Sequence, residues 1–188
     1  MTLADLLSER QDALCGRWLD AILAGYGEPT ASRWRREKDP FRNPVGHTLA
    51  TGLPALVAAV SRDAGLPEDA ATALEAIVRI RSVQDLAPSR AVGFVWLLRD
   101  AIRAEIGEEL SRAHAEELAQ VERRIERLGL EAFDTYVALR EQVFRLRQEE
   151  LKRSVASILR RWHGGQIPEP GAEDLAQLSP PRDAGARR

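Results

Sequence analysis

Cysteine and histidine, the residues that most often build metal and redox sites, are scarce in this sequence. Among 188 residues, Cys15 is the only cysteine, and the three histidines are His47, His114 and His163. A single cysteine excludes an intramolecular disulfide and is compatible with a reducing compartment. The histidines lie far apart without HxxxH or CxxC spacing, so no zinc site is predicted. A haem held by one histidine stays an alternative, because its other neighbours need only be apolar.

The sequence also lacks a large excess of charge of either sign. Its 27 basic and 29 acidic residues give a formal net charge of -2, whereas general nucleic-acid binders usually carry a basic excess that neutralises phosphates. No apolar run approaches the roughly 20 residues that span a bilayer, and Met1 leads into polar sequence without a signal-peptide pattern. We therefore expect a soluble, cytoplasmic protein that neither binds nucleic acid nor inserts into a membrane.

Recognisable catalytic patterns are missing as well. No Ser/His/Asp order, glycine-rich phosphate loop or paired-carboxylate spacing stands out. We therefore expect the protein not to be an enzyme.

What the sequence does show is helical periodicity along most of its length. Leu14, Trp18 and Ile22 follow one another at intervals of four, and no run alternates apolar and polar residues for long enough to predict a strand. The pattern predicts an all-α fold with a single helical bundle over residues 1–163. Residues 164–188 are rich in glycine and proline and poor in large apolar side chains, which predicts a flexible tail.

The last helical region is the longest, from about Glu108 to Trp162, with a break predicted near Gly129. Its apolar residues form a heptad series that later drifts toward Tyr136 and Val143. The series comprises Leu118, Val121, Ile125, Leu128, Ala132, Leu139 and Leu146. It fits a core-facing helix and an intermolecular coiled coil equally well, and the coiled coil would join two copies as a homodimer.

The stretch "EKDPFRNPVGHTL" contains two proline corners four residues apart. Asn43 followed by Pro44 predicts a helix start, since asparagine is a favoured N-cap and proline is favoured at the next position. Asp39 followed by Pro40 predicts a turn, and Phe41 between the two corners is expected to anchor the loop in the core.

Two residues of the same stretch are not explained by the corners themselves. Gly46 would lie in the first helical turn, where a missing side chain permits close approach by another helix or a small ligand. His47 lies about one turn into the helix. A lone histidine in this position predicts a packed or hydrogen-bonded side chain, with ligand binding as the alternative.

A second group of polar residues lies in "VRIRSVQD". Arg81 and Asp85 are four residues apart and share one helix face, and Arg79 lies beside them. We hypothesise that Arg79 or Arg81 meets Asp39 or His47 in space. Such a contact would brace two loops, which we favour, or bind a small anion.

Three blocks of the sequence resemble a known family. "REKDPFRNPVGHTLATGL", "IVRIRSVQDLAPSRAVGFVWLLRDAIRAEI" and "RIERLGLEAFDTYVALREQVFRLRQEELKR" are similar, in this order, to the N-terminal domain of the RsbRD group of RsbT co-antagonist proteins. The resemblance spans about residues 3 to 160. It implies a regulatory or sensory input domain that is helical and globin-like in its packing.

The resemblance also has implications for the output domain, the part of a signalling protein that acts on its target. Family members usually carry this domain ahead of an anti-sigma-antagonist (STAS) domain or a histidine kinase, and neither follows residue 160 here. The resemblance therefore implies a free-standing module in stressosome-like signalling, whose output is supplied in trans by a protein partner. Two alternatives remain: a ligand- or haem-carrying protein with its site near His47 and Phe94, and an accessory subunit of the membrane complex of dissimilatory sulfite reduction, beside which some free-standing versions are encoded.

Overall fold

The computed structural model describes residues 1–37, 39–62, 65–84 and 86–162. The regular secondary structure of this part of the chain is helical and includes no strand, which confirms the predicted all-α fold. Eight α-helices and one short 3-10 turn, Gly93–Val95, follow one another along it. The α-helices are α1 (Leu3–Glu9), α2 (Gln11–Ala24), α3 (Glu28–Arg36), α4 (Pro44–Ser61), α5 (Glu68–Ser82), α6 (Pro88–Val92), α7 (Leu97–Ala113) and α8 (Ala115–Trp162).

The fold divides into two compact units, Met1–Gln142 and Val143–Arg188. The first unit contains α1 to α7 and the beginning of α8. The second is described as far as Trp162 and consists there of the remainder of α8. The predicted tail over residues 164–188 lies outside the described residues, and the boundary at residue 163 stays a prediction.

The core of the first unit forms around α2 and α4. Helix α4 packs against α5 and α2, and α2 also packs against α7. Trp18 of α2 is fully buried, and its indole Nε1 donates a hydrogen bond of 2.7 Å to the backbone oxygen of Phe94. The two rings stack with their centroids 6.0 Å apart. The apolar interval of four that predicted α2 therefore points into the core.

The N-terminus of the first unit is fixed by a capping box. The Thr2 hydroxyl accepts a hydrogen bond from the Asp5 amide, and the Asp5 carboxylate accepts one from the Thr2 amide at 2.9 Å. Each group satisfies a polar atom that the first helical turn would otherwise leave unpaired. The amide of Leu3 in turn donates to the carboxylate of Glu117 at 2.7 Å, so the first helix is tied to the last.

Two predictions about the long last helix were wrong. It begins at Ala115 and not near Glu108, because residues 108–113 continue α7 beyond a kink at Gly107 (φ 78°), and His114 (φ -110°, ψ 30°) ends that helix. It also continues through Gly129 without a break. The glycine is there for packing: an added Cβ would lie 2.6 Å from Cη2 of Trp96.

Helix α4 has a property that the sequence analysis did not anticipate. Its 18 residues, Pro44–Ser61, are long and apolar enough to cross a membrane by length and composition alone, the one such helix in the described part of the chain. However, 56% of this segment is buried inside the fold, as is typical of a core helix in a soluble protein.

Candidate functional site

The corner at Asn43 is a helix start, as predicted. The buried Asn43 side chain accepts a hydrogen bond from the Gly46 amide at 2.8 Å, and its amide group donates to the carbonyl oxygens of Trp34 (2.8 Å) and Glu37 (2.9 Å). Asn43 therefore caps α4 and also ties it to the end of α3. Gly46 serves this cap, since an added Cβ would lie 2.8 Å from Cγ and Oδ1 of Asn43.

The cap makes a measurable contribution to stability. Replacing Asn43 with alanine should lower the free energy of unfolding by about 1.5 kcal/mol, because the Gly46 amide and two carbonyl oxygens lose their partner. Urea denaturation followed by tryptophan fluorescence would measure the change. Arg42→Ala is the neighbouring control, and at its exposed position we expect a change of about 0.5 kcal/mol or less. Equal losses in the two variants would contradict the assigned role of Asn43.

The corner at Asp39 and Pro40 forms the predicted turn, but the predicted role of Phe41 is wrong. The Asp39 carboxylate accepts a hydrogen bond from the Phe41 amide at 2.8 Å, and the Asp39 carbonyl accepts one from the Asn43 amide at 2.8 Å. These bonds close the turn on itself and leave Phe41 at its outer tip. The Phe41 side chain is 94% exposed and does not anchor the loop in the core.

His47 does not have the packed side chain that was predicted. It lies on α4 and is exposed, and no hydrogen bond of its ring is seen within the described residues. The imidazole is therefore open to solvent, and a ligand-binding role for His47 stays a prediction.

The two arginines of α5 have separate environments. Arg79 is exposed and pairs with Glu75 one turn earlier in the same helix. Arg81 is only 5% exposed, and Asp85, its predicted partner, lies outside the described residues. Neither arginine contacts Asp39 or His47 in the part of the chain that the structure describes.

Arg81 does brace two segments, although not those hypothesised. Its Nε donates to the carbonyl oxygen of Ala91 at 2.9 Å and its Nη2 to that of Arg90 at 2.7 Å. Its Nη1 donates to the Tyr26 hydroxyl at 2.5 Å, and that hydroxyl donates to Gln84 at 2.6 Å. The guanidinium thus joins the turn after α2 to α6. The small-anion alternative at Arg81 stays a prediction.

The electrostatics of this cluster follow from its burial. Loss of water lowers the pKa of Arg81 and raises the pKa of Tyr26, while the contact between the two groups opposes both shifts. The guanidinium also lies 5.3 Å from the ring centroids of Tyr26 and of Phe94, where the faces of aromatic rings stabilise a cation. These contacts are those of a structural clamp.

The scarce metal-binding and redox residues do not gather. Among the described residues, no group of three or more His, Cys, Asp and Glu side chains is placed to hold a metal ion. Cys15 is half-buried, and burial raises the pKa of its thiol to about 11. A thiol with this pKa is protonated at neutral pH and so is a poor nucleophile.

The predicted heptad series of α8 points into the core in the first unit. Its members Leu118, Val121, Ile125, Leu128 and Ala132 are buried. The last member, Leu146, lies in the second unit and is 56% exposed. Up to Ala132 the series is therefore that of a core-facing helix.

A second apolar series on α8, which the sequence analysis missed, is exposed. Its members recur at intervals of seven and are Leu130, Val137, Phe144, Leu151 and Ile158. Within the second unit the series is completed by Val155 and Trp162, which are also exposed. We call the five residues Phe144, Leu151, Val155, Ile158 and Trp162 the outer stripe.

One comparison with known proteins identifies the family. The sequence model of the RsbT co-antagonist protein rsbRD N-terminal domain matches residues 12–151. The chain belongs to this family. A search of the curated proteins and a search of the solved structures found no match, so globin-like packing stays a prediction.

Membership in the rsbRD N-terminal domain family indicates what kind of protein this is. The family is regulatory rather than catalytic and points to a sensory or regulatory role of the stressosome type. The matched region includes the corner at Asn43, the Arg81 clamp and the exposed Leu151. Val155, Ile158 and Trp162 of the outer stripe lie beyond it.

Proposed function

We propose that this protein is a non-enzymatic, cytoplasmic sensory or regulatory module that acts by contact with another protein, which supplies the output in trans. Its family supports the regulatory role. The observation that supports contact is the outer stripe, which comprises five of the eight large apolar side chains exposed in the described part of the second unit. Such side chains, aligned along one helix, are typical of a protein interaction surface.

The proposed mechanism is a change in how α8 packs when the partner binds. A partner shifts such an equilibrium only if it binds one arrangement of the helix better than the other. The outer stripe would provide that difference by being exposed in one arrangement of α8 and covered in the other, because only the exposed stripe can be buried against the partner.

Co-purification tests the proposal with a matched pair of variants. Leu151 of the outer stripe is 65% exposed, and Leu146, which is five residues earlier and about 140° around the helix, is 56% exposed. An immobilised full chain would be mixed with extract of the source cells, and bound proteins would be identified by mass spectrometry. We expect Leu151→Asp to reduce recovery of the partner about 10-fold or more, and Leu146→Asp to leave recovery close to that of the unchanged chain.

Comparison of Leu151→Asp with Leu146→Asp distinguishes a loss of partner binding from a loss of folding. Both changes place an aspartate on an exposed face of the same helix, so their effects on helix stability should be similar. Circular dichroism would confirm that the two variants unfold at the same temperature. Recovery that is undiminished in Leu151→Asp, or reduced equally in both variants, would contradict contact through the outer stripe.

A further inference from the structure

The outer stripe has the spacing of a coiled-coil seam. Its residues follow one another at intervals of seven, four, three and four, which assigns positions a and d of a heptad repeat. Phe144, Leu151 and Ile158 take position d, and Val155 and Trp162 take position a. Gln148 is the one polar residue at position a between Phe144 and Trp162. A single polar residue at such a position typically sets the register of a helix pair.

Basic residues flank this seam. Arg145 and Lys152 take position e, and Arg147 takes position g, so they lie beside the stripe on both sides. All three are exposed, and no ion pair of theirs is seen within the described residues. In two-stranded coiled coils, positions e and g face those of the partner helix and decide which partner is accepted.

The acidic residues of the segment lie away from the seam. Glu149 and Glu150 take positions b and c, and Glu149 pairs with Arg153 at 3.6 Å. They therefore do not neutralise the flanks. Residues 143–162 contain six basic and two acidic residues, although the whole chain has a formal net charge of -2. Three of the six basic residues, Arg145, Arg147 and Lys152, lie where a partner helix would dock.

We propose that the outer stripe binds one amphipathic helix of another protein, with apolar residues at positions a and d and acidic residues at positions e and g. This inference rests on the proposed function and specifies the chemistry of the partner. Opposite charges along the flanks would favour the correct helix and orient it during encounter.

The basic residues beside the outer stripe also disfavour the binding of a second copy of this chain at the stripe. In a parallel pair of copies, Arg147 of one would face Lys152 of the other, and like charges at these positions oppose association. A homodimer through the outer stripe is therefore less favourable than the binding of an acidic helix, and the homodimer through the heptad series of Leu118 to Leu146 stays a prediction.

A polar residue within the apolar face favours a helix over a lipid surface. At 100° per residue the five apolar residues of the stripe span an arc of about 60°, and the exposed Leu159 at position e widens the apolar face to about 100°. The polar Gln148 lies within the line of the stripe.

Two designed peptides would test the charge preference directly. Both would have four heptads with Ile at a and Leu at d, one with Glu and the other with Lys at every e and g position. Fluorescence anisotropy of each labelled peptide would be measured against the full chain. We expect the acidic peptide to bind about 30-fold more tightly than the basic one at 50 mM salt, and the ratio to fall at 500 mM salt because salt screens exposed charges.

Charge reversal provides the matched controls. The double variant Arg147→Glu, Lys152→Glu should reverse the preference and bind the basic peptide more tightly. Arg153→Glu, which reverses a charge on the opposite face, should retain the preference for the acidic peptide. All three residues are exposed, and circular dichroism would verify that the variants remain helical.

Four results would overturn the inference. They are equal affinity for the two peptides, no binding of either, a stable dimer of the full chain by light scattering, and tighter binding to phosphatidylglycerol vesicles than to the acidic peptide. The co-purification experiment keeps these results separate from the proposed function. If Leu151→Asp loses its cellular partner while the peptides do not differ, only the acidic helix is refuted and contact through the outer stripe stands.

Discussion

Replacing Arg81 with alanine will lower the free energy of unfolding by about 4 kcal/mol, the largest effect that we expect of any single substitution considered. The guanidinium is buried and donates to the carbonyl oxygens of Arg90 and Ala91 and to the hydroxyl of Tyr26. Removing it leaves these acceptors in a poorly hydrated site and opens a cavity. Each unpaired buried group costs about 1–3 kcal/mol.

Urea denaturation of the full chain would measure the change, with Arg79→Ala as the control. Arg79 lies two residues earlier in α5, is exposed, and pairs only with Glu75 of the same helix among the described residues. Exposed pairs of this kind contribute about 0.5 kcal/mol or less. A loss in Arg81→Ala no larger than that in Arg79→Ala would show that the clamp between the turn after α2 and α6 does not form as described.

The second large effect concerns Gly129, where we expect alanine to lower the free energy of unfolding by about 2 kcal/mol. A Cβ at this position would lie 2.6 Å from Cη2 and 3.0 Å from Cε2 of Trp96. The indole is a rigid ring, so it must move as a whole. Overpacking costs about 1–3 kcal/mol, and an overlap with several atoms of a rigid ring belongs at the upper end of that range. The roughly 1 kcal/mol that alanine gains over glycine within a helix then reduces the loss to about 2 kcal/mol.

Gly16→Ala is the matched control with the opposite sign. Gly16 lies within α2 and is exposed, and nothing lies within 4 Å of an added Cβ. Alanine there should raise the free energy of unfolding by about 0.7 kcal/mol, because glycine loses more backbone freedom in forming a helix. The same urea titrations measure both variants. A stabilising effect of Gly129→Ala would contradict the close packing of Trp96 on α8.

The two glycines illustrate what could be predicted from the sequence. Apolar intervals of three and four predicted the helices, and the start of α4 followed from Asn43 and Pro44. Gly129 was interpreted as a break because glycine is a poor helix former. Its real role depends on Trp96, which is 33 residues earlier in the chain, and no local rule predicts that contact.

Arg81 could not be interpreted from its neighbours for the same reason. In the sequence, Arg81 and Asp85 form an ordinary surface pair at an interval of four. The partners that bury Arg81 belong to the turn after α2 and to α6, and the Tyr26 hydroxyl is 55 residues away in the sequence. Its burial is a property of how the helices pack.

The outer stripe was missed for a different reason. Helix α8 has two apolar series with an interval of seven, on different faces, and periodicity cannot say which face is covered. The buried series around Ile125 was recognised, whereas the exposed series through Leu151 was not. A search for a second series, together with the basic residues beside it, would have found this surface.

The hydrogen bond between the amide of Leu3 and the carboxylate of Glu117 has a consequence for synthesis in the cell. A ribosome produces α1 well before the start of α8. The bond between Leu3 and Glu117 can therefore form only after residues 3–117 have been translated. During that interval the nascent chain displays the apolar residues of α4 that pack against α5, because only the contacts of α4 with α1, α2 and α3 can form before α5 has been made. The protein should therefore fold late, and we expect the nascent chain to be a substrate for ribosome-associated chaperones.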